Sequence, residues 1–220
     1  MRRSISTAFL FLIAPLLLTD YASAAGESVS ASAIVREMNL ARQNPGLYAT
    51  YVEELRSHFD GKMLVLPGRT RLVTKEGARA LDDAVRFLRS AQPLPPLTLS
   101  EGMCQSAADH CADQAGGAMG HDGSDRTNPG ARMSRYGTWS VLWGENISYG
   151  KTNARDIVLA LIIDDGLPAR KHRKNIFNPS FNFAGAGYGP HARYRFVCTT
   201  DFAGGYVENG RRDALVARNP

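Results

Sequence analysis

Five histidines, two of them on irregular segments, carry most of the chemistry this chain can offer. His121 lies in "GAMGHDG", where glycines stop a helix, and His172 lies in "ARKHRKNIFNP", among Arg170, Lys171, Arg173 and Lys174. Imidazole titrates near neutral pH and ligates metals, so histidines on loops suit a metal or an acid/base site. His58, His110 and His191 read as surface or flanking positions. Glu145, in "LWGENISYG", is hemmed by Trp143, Gly144, Ile147 and Tyr149. A carboxylate entering apolar surroundings needs a partner, and either an arginine or a histidine satisfies it. Asp164 and Asp165 end a helical pattern, where the macrodipole disfavours acids. A functional role and simple neutralisation by the cations of 170–174 are equally compatible with that placement.

Two neutral imidazoles and a carboxylate can hold zinc or another divalent cation with an open position, where a bound water becomes acidic enough for hydrolysis. Alternatively, Glu145 fixes a histidine tautomer from outside the ligand set. A nucleophilic enzyme finds little support, because no serine sits in G-x-S-x-G and no cysteine adjoins either loop histidine. The series Gly185, Gly187, Gly189 does not open a helix and so fails as a dinucleotide loop. Cys104 and Cys111, seven residues apart on one helix, are separated by roughly 10 Å, beyond the span of a disulfide. Pairing of one of them with Cys198 and three free thiols both remain open.

The N-terminus places this chemistry outside the cytoplasm. Arg2 and Arg3 precede "AFLFLIAPLLL" and then "ASAA", the pattern of a signal peptide cleaved after residue 24. The apolar run is too short to span a bilayer, so the expected product is secreted or periplasmic, with no transmembrane segment after signal removal. The formal charge of +5 is spread along the chain and interleaved with acids, which argues against nucleic acid as a partner. The remaining length suits one domain, 25–207, with 60–92 as an insertion or N-terminal elaboration and 208–220 as a polar tail.

Helices are expected from Ser32 to near Pro45, from there to Phe59, over "EGARALDDAVRFLRS", from Ser100 through "EGMCQSAADHCADQAGG", and from Asn153 to "DDG". The fourth carries a small-residue stripe of Cys104, Ala107, Ala108, Cys111 and Ala115, suited to close approach to a sheet. The C-terminal third reads as a strand hairpin, in which Tyr194, Phe196, Cys198, Thr200 and Phe202 alternate onto one face. Residues 60–73 read as loop with a short strand.

The order "NLAR", "PLPPLTLSEGM", "GHDG", "GENI", "HRKNIFNPSFNFAGAGYG" and "YRFVCTTDF" resembles the CAP superfamily of cysteine-rich secretory, antigen 5 and pathogenesis-related 1 proteins, and within it the bacterial secreted branch. The resemblance covers about residues 33 to 205. It implies an α/β fold, a three-layer α-β-α sandwich with a central, mainly antiparallel sheet, and a cleft where two histidines and two acids cluster and some members bind zinc. Carried over by motif, His121 and His172 are the cleft histidines and metal ligands, and Glu145 is the first acid. The helix before His172 departs from the pattern, leaving Asp164 or Asp165 for the second acid; if the protein is an enzyme, His121, Glu145, His172 and Asp165 are the catalytic candidates. The family implies a non-enzymatic extracellular binding protein for a lipid, peptide or cell-wall component, with a metal-assisted, peptidase-like hydrolase as the alternative.

Overall fold

The computed structural model describes residues 29–210; the expected leader at 1–24 and residues 211–220 of the expected tail at 208–220 lie outside them, whereas Glu208 still belongs to the last strand and accepts from Ser100 and the Gly102 amide. Seven helices and seven strands follow one another among the described residues. Helix α1 (Ala31–Gln43) starts where the Ser30 hydroxyl accepts from the Ala33 amide. Pro45 sits in the first turn of α2 (Pro45–Glu54), where its missing N–H costs nothing. A 3-10 turn then leads into three two-residue strands, β1 (Phe59–Asp60), β2 (Met63–Leu64) and β3 (Leu72–Val73), paired antiparallel as a separate small sheet. Helix α3 (Ala78–Ser90) is strongly amphipathic: Ala80, Leu81, Ala84, Val85 and Leu88 join the main core. The 60–92 stretch is thus a surface sheet followed by a core helix.

The principal sheet runs β4-β6-β7-β5, from β4 (Thr98–Leu99), β6 (Phe183–His191), β7 (Arg195–Glu208) and β5 (Gly137–Tyr149). Only the short β4–β6 pairing is parallel; β6–β7 and β7–β5 are antiparallel. One face buries Ala184, Ala186, Cys198 and Phe202 under α1, α2, α3 and α6 (Ala154–Ile163). The other packs against α4 (Glu101–Asp113) and α5 (Pro129–Met133), with Met103, Met133, Ala203 and Tyr206 in one cluster and Cys111, Ile147 and Val197 in a second. The fold is therefore an α-β-α sandwich. Because successive strand residues face opposite sides, Cys111 meets Val197 while Cys198 points into the other layer, and all three cysteines are free.

Two expectations are refined by this packing. Strand β7 is buried on both faces from Val197 to Gly204, because each face carries a helical layer. The close approach of α4 also rests less on its own small stripe, of which Ala108 is exposed, than on glycines of β6. A Cβ on Gly185 would lie 2.3 Å from the Met103 carbonyl carbon, and one on Gly187 would lie 2.5 Å from that of Ala107.

Candidate functional site

Strand β5 is an edge strand, so groups on both its faces reach solvent around one margin. Glu145 projects toward α4 and α5, where its side chain is 1% exposed. Its Oε1 lies 2.7 Å from His121 Nδ1, and its Oε2 accepts a 2.6 Å bond from Arg132 of α5. Both carboxylate oxygens are thereby committed. Arg132 also donates to the carbonyls of His121 (2.9 Å) and Thr127 (2.8 Å), so one guanidinium neutralises Glu145 and pins the loop that carries the histidine.

That loop is fastened from further sides, which corrects the placement of two histidines. His110 and His191 are buried, 0% and 2% exposed, not surface or flanking. His110 Nε2 donates to the Gly120 carbonyl at 2.9 Å, and His191 Nε2 donates to the Ala118 carbonyl at 2.9 Å. Loop carbonyls that lack a regular ladder need such donors when buried. Burial pushes the His110 imidazolium pKa down, so the ring is held neutral 4.0 Å from Glu145.

Beneath the pair lies Asp201, directly opposite Glu145 across the β5–β7 ladder and fully buried. It accepts from Ser106 at 2.7 Å, and its other oxygen has no hydrogen-bond partner among the described residues. Burial, reinforced by the Glu145 charge, pushes its carboxyl pKa well above the usual range. Asp201 and Arg132 escaped sequence reasoning. Alternation on β7 pointed to the Cys198–Phe202 face, and nothing local distinguishes Arg132 from other arginines.

On the opposite side of β5, helix α7 (Lys171–Ile176) carries His172. Its Nδ1 lies 2.7 Å from Asp164 Oδ1, and its backbone amide donates to Asp164 Oδ2 at 3.0 Å. The side chains are 18% and 1% exposed. Asp164 closes α6 in the left-handed region, φ 56°, a conformation aspartate tolerates better than most residues. The reversal swings its carboxylate off the helix axis, away from the unfavourable dipole and onto the start of α7. Asp165 is corrected accordingly: its oxygens accept from the amides of Lys75 (2.7 Å) and Glu76 (2.8 Å), and it does not join His172. Two side-chain amides tie α7 to β5, Asn146 donating to the His172 carbonyl (3.0 Å) and Asn175 to the Glu145 carbonyl (3.2 Å).

The two arginines of the basic run around His172 are structural, while Lys171 and Lys174 are exposed. Arg170 clamps Glu76 and reaches Asp83, and Arg173 bonds Asp83 and the Ile162 carbonyl. The structure thus assembles two histidine–carboxylate pairs, His121–Glu145 and His172–Asp164, flanking the margin of one strand. Among the described residues no group of three His, Cys, Asp or Glu side chains is placed to hold a metal ion.

Residues 83–202, which contain both pairs, match the profile of the CAP, or cysteine-rich secretory protein, family. The chain belongs to that family. A stretch of 101 residues is 32% identical to the Bacillus subtilis protein YkwD, covering 46% of this chain and 37% of that one; the chain thus spans little more than a third of that relative's length. Among solved structures, an extracellular SCP-domain protein of Bacillus anthracis superposes with a TM-score of 0.41 at 22% identity, over 57% of this chain and 39% of the other. An outer surface protein of Borrelia burgdorferi gives 0.43 at 15% identity, over 59% and 96%. The small sheet at 59–73 lies outside the CAP-matched segment.

Proposed function

We propose that the chain is an extracellular binding protein whose cleft takes zinc or another divalent cation through His121 and His172. Each ring commits Nδ1 to a nearly buried carboxylate, which leaves Nε2 as the lone-pair donor and fixes its orientation, the usual outer support of metal-bound histidine. With two protein donors the ion keeps open positions for an extracellular ligand, whether lipid, peptide or cell-wall component.

Binding is favoured over hydrolysis by one observation: Glu145, the carboxylate a peptidase-like mechanism would use as base, has both oxygens engaged by His121 and Arg132. A base must be free to accept the proton of an attacking water. Zinc titration calorimetry tests the reading. One zinc per chain is expected, with affinity falling at least tenfold in His121→Ala or His172→Ala and roughly 10–100-fold in Glu145→Gln. Zinc affinity unchanged in both histidine variants contradicts the site. Chelator-sensitive turnover of mixed peptide and ester libraries, abolished by Glu145→Ala, contradicts the non-enzymatic reading.

A further inference from the structure

A groove lined by no residue of either histidine pair lies between the C-terminal half of α3 and the segment 168–174 that leads into α7. It encloses about 430 Å³, within the range of small-molecule sites. Four cations line it, Arg86 of α3 and Arg170, Arg173 and Lys174 of the basic run, against one carboxylate, Asp83. Phe87, Pro168 and Ala169 supply an apolar wall. Arg173 is buried, whereas the Arg86 side chain is 72% exposed and Lys174 is exposed, so two fixed guanidiniums lie behind two cations open to solvent.

The ion pairs leave this set unbalanced. Asp83 Oδ2 accepts from Arg170 Nε and Arg173 Nη1, both at 3.0 Å, while Arg86 stands 3.6 Å from Asp83 Oδ1. One carboxylate thus serves three guanidiniums. Arg170 has a second carboxylate, Glu76, which lies outside the lining. Asp164 also acts on Arg173 through space, but it is bonded to His172. Asp83 and Glu76 therefore offset the two inner arginines, and even with Asp164 counted in full one positive charge is left over. No hydrogen bond or ion pair engages the Lys174 ammonium among the described residues. A single exposed cation is ordinary; two cations from different helices on one concavity suit a ligand with several anionic oxygens. A carboxylate brings one charge, whereas a phosphate monoester brings about −1.5 to −2 and three acceptor oxygens.

We infer that this groove binds a small, soluble phosphate monoester, with the phosphate held by Arg86 and Lys174 and the organic group against Phe87 and Pro168. The site stands independently of the histidine cleft. Titration calorimetry of chelator-treated protein with phenyl phosphate and benzoate tests it, the chelator removing any metal in the cleft that could itself hold phosphate. Saturable one-to-one binding of phenyl phosphate is expected, about tenfold or more tighter than that of benzoate, and glycerol 3-phosphate should displace it. Arg86→Gln and Lys174→Gln, both at exposed positions, should each weaken binding about tenfold or more. Lys171→Gln removes an equal charge from the same helix but outside the lining, and should leave the affinity unchanged. His121→Ala should bind phenyl phosphate like the unmodified chain, so a failed metal site and a failed groove give different results. Absence of saturable binding, equal affinity for benzoate, or equal losses in Lys171→Gln and Lys174→Gln overturns the inference. So does displacement of phenyl phosphate by vesicles bearing phosphatidic acid but not by glycerol 3-phosphate, which would make a membrane surface the ligand.

Discussion

Replacing Arg132 by methionine keeps the aliphatic volume of a side chain that is 3% exposed but removes the guanidinium bonded to Glu145, itself 1% exposed. Breaking a buried ion pair from one side costs about 3–5 kcal/mol, because the remaining charge is stranded. The neighbourhood cannot absorb that charge: Asp201 across the ladder is an acid, and His110 is held neutral by burial. Two further bonds, to the carbonyls of His121 and Thr127, disappear with the guanidinium, so the His121 loop loosens as well. At about 2–4 °C per kcal/mol for a chain of this size, the expected fall in melting temperature is about 6–20 °C. Urea denaturation followed by tryptophan fluorescence gives the free energy directly. In a double-mutant cycle, Arg132→Met should cost several kcal/mol less in a Glu145→Gln background, where no charge is stranded. A loss below about 1 kcal/mol, or the same loss in both backgrounds, refutes the assignment of Arg132 as the counter-ion of the site.

Gly187→Ala should cost at least the roughly 1–3 kcal/mol of overpacking, since the new Cβ meets the α4 backbone at 2.5 Å. Gly189→Ala, whose Cβ would meet only the Cys111 Cβ at 3.6 Å, should be far milder; equal losses in denaturant midpoint contradict the close approach. The Arg170 guanidinium holds the Glu76 carboxyl at about 2, below its usual 4.5. A lowered pKa stabilises fully above the unfolded value and loses that contribution as pH falls from 4.5 toward 2. Stability measured across that range should therefore drop less steeply in Glu76→Gln, and identical slopes contradict the clamp.

What could be read before folding was whatever repeats on a local period or matches a motif. The helix over 78–90, the Ser100 cap of α4 and the pairing of β6 with β7 as a hairpin stand as expected, because each is decided within a few residues. His121, Glu145 and His172 were named through motif order. Their partners come from elsewhere in the chain: Arg132 from a five-residue helix, Asp201 from the strand alongside, and His110 and His191 from positions that look like surface until the loop folds over them. The choice between Asp164 and Asp165 turned on a single left-handed residue. Local pattern carries no information on which of two adjacent carboxylates a chain reversal will aim at the histidine.

The central claim is that two carboxylate-oriented histidines flanking the β5 margin hold one divalent cation. A crystal structure of the purified protein soaked in zinc, with anomalous diffraction recorded at the zinc edge, tests it most directly. The account predicts a single strong peak within about 2.0–2.1 Å of Nε2 of both His121 and His172, with Glu145 and Asp164 still bonded to the Nδ1 atoms. A peak bound to Glu145 in place of Arg132, zinc held by only one of the two histidines, or no zinc at the β5 margin would contradict it.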